Sequence, residues 1–120
     1  MYDHIGLKVS DLAKSVRFYK AALEALGYEL CSQDEASASF GPAKWPALWL
    51  AAAKGTTGPG VHVAFRAGDH AAVKRFHQQG LEAGGRDNGA PGLRADYSPT
   101  YYAAFLIDPD GNNVEAVCLS

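Results

Sequence analysis

Three residues far apart in the chain, His4, His62 and Glu115, carry side chains that could together hold one divalent metal. Two imidazoles and a carboxylate make a facial set with coordination positions left open, and a metal so held acts as a Lewis acid on oxygen. Zn, Mn, Fe, Ni and Co all accept such donors, one ion per chain. His4 and His62 open alternating segments whose own faces carry the small residues Gly6 and Ala64. That face suits the lining of a cavity. Glu115 stands between Val114 and Ala116 inside a strand-like run, where an unpaired carboxylate is costly to bury and a metal would compensate it.

Other residues could bind or convert a ligand beside that set. Parity makes Lys8, Arg66 and Val117 neighbours, with Trp49 on either the site face or the core. Arg94, Asp96, Tyr97, Tyr101 and Tyr102 lie in or beside one long polar stretch, a mixture that could orient an oxygen-rich or aromatic ligand. Spacing does not rank Tyr101, Tyr102, Asp96 and solvent on the metal as general base. His70 and His77 fall on a helix start and a helix flank, which suits packed or solvated roles. No Gly-rich phosphate loop, no paired-Cys zinc spacing and no Ser nucleophile elbow is present.

These residues are positioned by a duplication. Sliding the chain 58 places lays His4 on His62, Asp11 on Asp69, Ala13 on Ala71, Arg17 on Arg75, Phe18 on Phe76, Leu23 on Leu81, Glu24 on Glu82, Ala25 on Ala83 and Gly27 on Gly85, without a gap. Each copy is too short to stand alone, so the two are expected to pair their sheets and share one core. Residues 1–53 and 60–120 are the repeats and 54–59 the linker, within one domain over residues 1–120.

Each repeat opens with alternation, Ile5, Leu7 and Val9 in the first and 61–67 in the second. Leu12, Val16, Tyr19, Leu23 and Leu26 follow at helical spacing behind an Asp11 or Ser10 cap, and Gly27 stops the helix. The second helix is expected from near Asp69 to Gly84-Gly85. Short strands over 28–32, 38–40 and 47–52 complete a βαβββ unit. The second unit closes with strands 101–107 and 113–119 around Asp108-Pro109-Asp110-Gly111, a type I turn with a following bulge. Residues 87–100, broken by Gly89, Pro91, Gly92 and Pro99, are expected as a loop over a site. The fold class is α+β, two βαβββ modules in tandem forming a partly closed mixed sheet around a cavity.

Composition agrees with a single small domain: 120 residues, 48% hydrophobic and 20% charged. The formal charge of -2 gives no footprint for nucleic acid or an anionic membrane, so the expected partners are a small-molecule substrate and a second copy. Cys31 and Cys118 are too few for a disulfide scaffold, and no run has the length of a signal or membrane segment. A cytoplasmic protein is expected, with Cys118 facing the helices.

The run Asp3-His4-Ile5-Gly6-Leu7-Lys8-Val9-Ser10-Asp11-Leu12 with Phe18-Tyr19, the run His62-Val63-Ala64-Phe65, and the closing 105–115 segment with Asp108-Pro109-Asp110-Gly111 and Glu115 resemble the vicinal oxygen chelate superfamily. That superfamily includes glyoxalase I, fosfomycin and bleomycin resistance proteins, methylmalonyl-CoA epimerase and extradiol dioxygenases. The resemblance implies paired βαβββ modules curled round a cavity, a divalent metal chelating two adjacent substrate oxygens, and His4, His62 and Glu115 as its ligands. It also implies a homodimer with sites where modules meet, in some members with ligands from both chains.

Departures narrow the reaction. Residues 47–53 hold no counterpart of the glyoxalase I carboxylate, with Trp49 in its place, which argues against lactoylglutathione chemistry. Gly6 stands where fosfomycin resistance proteins carry a hydroxyl, and extradiol dioxygenases are built from more modules. Bleomycin-binding members lack the metal ligands kept here. Small glyoxalase-like proteins share a loop like Arg94 to Tyr102, with histidines at the places of Asp96 and Ser98. The reading is a metal-dependent enzyme on a small oxygenated metabolite, of lyase/isomerase or dioxygenase type. The rival is a non-catalytic small-molecule or antibiotic-sequestering protein of the same fold, holding its ligand with Trp45, Trp49 and the tyrosines.

Overall fold

The computed structural model describes residues 2–55 and 60–120. Residues 56–59, most of the expected linker 54–59, lie outside the described residues. The chain order is β1 (Ile5–Val9), α1 (Leu12–Glu24), β2 (Glu29–Gln33), β3 (Ser37–Gly41), β4 (Leu48–Ala52), then β5 (His62–Arg66), α2 (His70–Glu82), β6 (Arg86–Leu93), β7 (Tyr102–Ile107) and β8 (Asn113–Cys118). This is βαβββ twice. No helix among the described residues is long and apolar enough to cross a membrane.

Both helices start as their caps dictate. The Asp11 side chain accepts from the backbone N–H of Lys14 at 3.1 Å and Asp69 from that of Ala72 at 2.7 Å, each satisfying an amide the helix cannot. Gly27, at φ +85, ends α1 while the Tyr28 amide closes back on the Leu23 carbonyl at 3.0 Å. The buried stripes Val16, Tyr19 and Leu23 on α1, and Val73, Phe76 and Gly80 on α2, face inward.

Each module makes one four-stranded sheet, ordered β1-β4-β3-β2 and β5-β8-β7-β6. The β1/β4 and β5/β8 pairs are parallel and the others antiparallel. Among the described residues the two sheets do not join by strand pairing; the expected common core forms instead through the helices. Leu7, Val9, Phe40 and Leu50 of the first sheet and Val63, Leu106 and Val114 of the second belong to one buried cluster with Phe18, Tyr19 and Phe76. Gly80 lets the helices approach: a Cβ there would lie 2.2 Å from Leu106 Cδ1 and 3.3 Å from Phe18 Cε1. The weak helix propensity of glycine is offset by that contact.

A polar clamp also ties the halves. Asp108, buried in the β7–β8 turn, accepts from the Tyr19 hydroxyl of α1 at 2.5 Å, from the Asp110 and Asn112 amides at 2.9 Å, and from Asn112 Nδ2 at 2.9 Å. Asp110 in turn accepts from the Ser10 amide and hydroxyl and from the Ser15 hydroxyl. Burial first, and the Asp108 charge second, push the Tyr19 hydroxyl far above the usual phenol range, so it stays a donor. The turn geometry is as expected, with Gly111 at φ +91 and its amide on the Asp108 carbonyl at 3.0 Å.

The stretch expected as a loop over 87–100 is half strand. Residues up to Leu93 belong to β6, which pairs with β7 through register shifts at Gly89 and before Gly92. Gly and Pro hide this strand from the sequence because it lies at a sheet edge, where a proline leaves no ladder bond unmade and an irregular glycine makes a bulge.

Candidate functional site

Strand pairing decides which side chains share a face. In the second sheet Ala64 pairs with Glu115 and Arg66 with Val117, while Phe105 pairs with Glu115 and Ala103 with Val117. His62, Glu115, Phe105 and Tyr101 therefore point to the side opposite the helices, and Val63, Val114, Ala104 and Cys118 into the core. Cys118 is buried among apolar side chains, as expected.

Glu115 is the centre of this outward face, and only 2% exposed. Its Oε1 lies 2.9 Å from His62 Nε2, and its Oε2 accepts the Tyr101 hydroxyl. Loss of solvent, then the bond to Glu115, push the Tyr101 hydroxyl up to about 12, so it keeps its proton in neutral solution. Tyr97 packs edge-on against the Tyr101 ring, centroids 5.0 Å apart. The Arg94 guanidinium lies over the Phe105 ring, 5.4 Å from its centre, and donates to the Ala90 carbonyl at 2.7 Å. The 94–101 connection is a compact turn: Arg94 N–H bonds Tyr101 O at 2.7 Å and Tyr97 N–H bonds Arg94 O at 2.9 Å.

The remaining expected site residues are placed elsewhere. His4 stands before β1 with its Nδ1 on Asp3 Oδ1 at 2.8 Å, more than half exposed. It borders an apolar cavity of about 270 Å³ between the modules, with Ile5, Tyr28, Phe40, Val63 and Phe65. Lys8 and Trp49 lie on the outward face of the first sheet, where Gly6 pairs with Trp49. That settles the phase of Trp49. Tyr102 alternates to the other side of β7 and stacks on His70, centroids 3.9 Å apart, so it is not brought to Glu115. Asp96 is exposed on the loop, Trp45 is 68% exposed between β3 and β4, and His77 bonds Asp87 at 2.8 Å across α2 and β6.

The donors can be weighed against a divalent metal. Imidazole and buried carboxylate are suitable in kind. In number one chain falls short: among the described residues no three His, Cys, Asp or Glu side chains converge. Sequence reasoning missed Phe105 and the two glycines beside Arg94. The parity of Phe105 with Glu115 would have found the first. The glycines carry no signal without the strand that holds them.

The model of the Glyoxalase/Bleomycin resistance protein/Dioxygenase superfamily matches residues 2–116. The chain belongs to that superfamily. Its structure is similar to that of a glyoxalase/bleomycin resistance protein from Albidiferax ferrireducens T118, 28% identical, with 98% of each chain covered and a TM-score of 0.84. A glyoxalase I mutant from Zea mays is 25% identical at a TM-score of 0.73, covering 96% of this chain and 45% of that one. A family enzyme from Burkholderia phytofirmans PsJN, at 15% identity, a TM-score of 0.75 and 98% coverage of each chain, shares the fold. Among curated proteins none matches.

Proposed function

We propose that this superfamily member is a divalent-metal-dependent enzyme acting on a small oxygenated metabolite, of lyase/isomerase or dioxygenase type. The observation that carries the reading is the buried Glu115 carboxylate held against His62 on a face left open by the helices. His62 and Glu115 of one chain would hold the metal, with His4 of a second copy as the third ligand. Each chain has the same two incomplete halves of a site, so a twofold dimer that lays the first sheet of one copy on the second sheet of the other completes two sites at once. The bound metal supplies Lewis acidity toward neighbouring substrate oxygens. Tyr101 orients Glu115, while Arg94, Tyr97 and Phe105 wall the site. Lys8, Trp49 and Arg66 border the ligand once the copies meet.

A complementation experiment tests this. The His4→Ala and Glu115→Ala proteins should each lose metal when purified alone. Unfolded together and refolded, half the dimers become mixed and regain one of two sites, so about a quarter of the wild-type metal per chain returns. No recovery sinks the two-copy site. A second reading, a non-catalytic ligand-binding protein, is favoured by Glu115 having both oxygens occupied by protein donors. It predicts no metal in the wild-type protein and unchanged ligand binding in the Glu115→Ala protein.

A further inference from the structure

The outward face of the second sheet and the turn beside it carry arginine next to a buried carboxylate. Its carboxylate, Glu115, is already held by His62 and Tyr101, and the same face carries Arg66 and the turn beside it Arg94. The ion pairs among the described residues all involve histidines, so neither arginine is matched by a carboxylate. Asp96, two residues beyond Arg94, is exposed and makes no ion pair with it.

Arg94 is seated, not loose. The backbone of β6 is irregular at Gly89 and Gly92, and both glycines make room for the guanidinium. A Cβ at Gly89 would lie 2.9 Å from Phe105 Cδ1 and 3.3 Å from Arg94 Nη2; one at Gly92 would lie 3.2 Å from Arg94 Nη1. Gly89 also sits at φ +154, a conformation side chains rarely adopt. The Phe105 ring, 5.4 Å from the guanidinium carbon, and the Ala90 carbonyl at 2.7 Å seat the group, and the carbonyl takes one of its five N–H donors. The remaining guanidinium N–H donors suit the two oxygens of a planar carboxylate. Phe105 is the register partner of Glu115, and its ring centre lies 5.4 Å from the Arg94 guanidinium carbon and 6.3 Å from the His62 ring centre, so Arg94 and the Glu115–His62 pair border the same aromatic ring.

We infer that Arg94 receives a substrate carboxylate, so that the site takes short hydroxy- or oxo-carboxylic acids whose second oxygen reaches the Glu115–His62 pair. The inference rests on the reading of this face as the active site. Acid selectivity and metal loading nevertheless fail separately.

The experiment titrates matched acid and amide probes, 2-hydroxybenzoate against 2-hydroxybenzamide and lactate against lactamide, into metal-free and metal-loaded protein, with binding read by calorimetry. The acid of at least one pair should bind at least tenfold tighter than its amide. The Arg94→Gln protein should bind the two alike, and Arg94→Lys should keep part of the preference. Thermal melting reports whether Arg94→Gln folds; if it does not, Gly92→Ala, which crowds the guanidinium, should narrow the preference by several-fold. A metal-free wild-type protein that still prefers the acid separates this inference from the metal reading. Equal binding of acid and amide, binding of neither acid, a preference that survives Arg94→Gln, or tighter binding of inorganic phosphate than of any acid overturns it.

Discussion

The two modules of this chain share one scaffold and differ where chemistry would occur. His4 and His62, Gly6 and Ala64, and Lys8 and Arg66 occupy matching places on the opening strands, but the register partner of Gly6 is Trp49 and that of Ala64 is Glu115. One strand further, Ser39 faces Trp49 where Phe105 faces Glu115. Ser39 is buried and its hydroxyl lies 2.6 Å from that of Ser32, a closed polar contact with no charge. The second module has also lengthened its edge strand to eight residues and added the 94–101 turn, whereas β2 has five residues and a tight turn to β3. Duplication thus preserved the supports and concentrated the buried carboxylate, its donors and the seated arginine in one half. A buried carboxylate needs paired donors, and those of Glu115, His62 and Tyr101, both come from the second module.

That contrast can be broken most sharply at Glu115. If Glu115 holds the metal as proposed, replacing it with Ala should lower divalent-metal affinity at least about 100-fold in a metal titration. Trp49→Ala, at the matching place, should change it less than about threefold. Equal losses would show that the halves contribute alike.

The second largest effect concerns the clamp that runs one way, from the turn of the second module to the helix of the first. Asp108→Ala strands the Tyr19 hydroxyl and the Asn112 side chain in the core and should cost about 3 kcal/mol in chemical denaturation. Tyr19→Phe, which leaves Asp108 its other three donors, should cost roughly 1–2 kcal/mol.

The helix crossing sharpens the comparison further. Gly80 and Ala22 are repeat counterparts, and a Cβ on Gly80 would lie 3.6 Å from the Ala22 Cβ. Gly80→Ala drives a methyl into Leu106 and should destabilise by about 1–3 kcal/mol. Ala22→Gly should destabilise by only about 1 kcal/mol, through helix propensity.

The smallest expected effect is one of pH. His77 holds the place in α2 that Tyr19 holds in α1, but its partner Asp87 is exposed. The hydrogen bond from His77, then that from the Gly89 amide, hold the Asp87 carboxyl below its ordinary 3.8. Because the folded value is the lower one, the stabilisation is present above 3.8 and is lost as pH falls through the folded value. Asp87→Asn should therefore lower stability slightly at neutral pH and flatten its fall on acidification, followed by denaturation between pH 5 and 2.

Much of the architecture was legible before the structure. The gapless match from His4 to Gly27 and from His62 to Gly85 located both helices and both opening strands, because caps, glycine stops and alternation act within a few residues. The β6 strand was not legible, since its pairing is made by β7 while its own Gly89, Pro91 and Gly92 read as loop. Tyr101 and Tyr102 are chemically identical neighbours, and only the pairing of β7 with β8 sends one to Glu115 and the other to His70.

Local sequence was enough to set the duplicated βαβββ order, the capped helices and the 108–111 turn, and to single out the candidate ligands His4, His62 and Glu115. These follow from local backbone preference and from the cost of burying charge. Packing alone set the sheets apart around a shared helical core, brought His62 and Glu115 together while His4 stands ahead of the other sheet, and laid Arg94 over Phe105. Those outcomes depend on how faces far apart in the chain pack, and that is set by the summed burial of both modules and by no short segment of either.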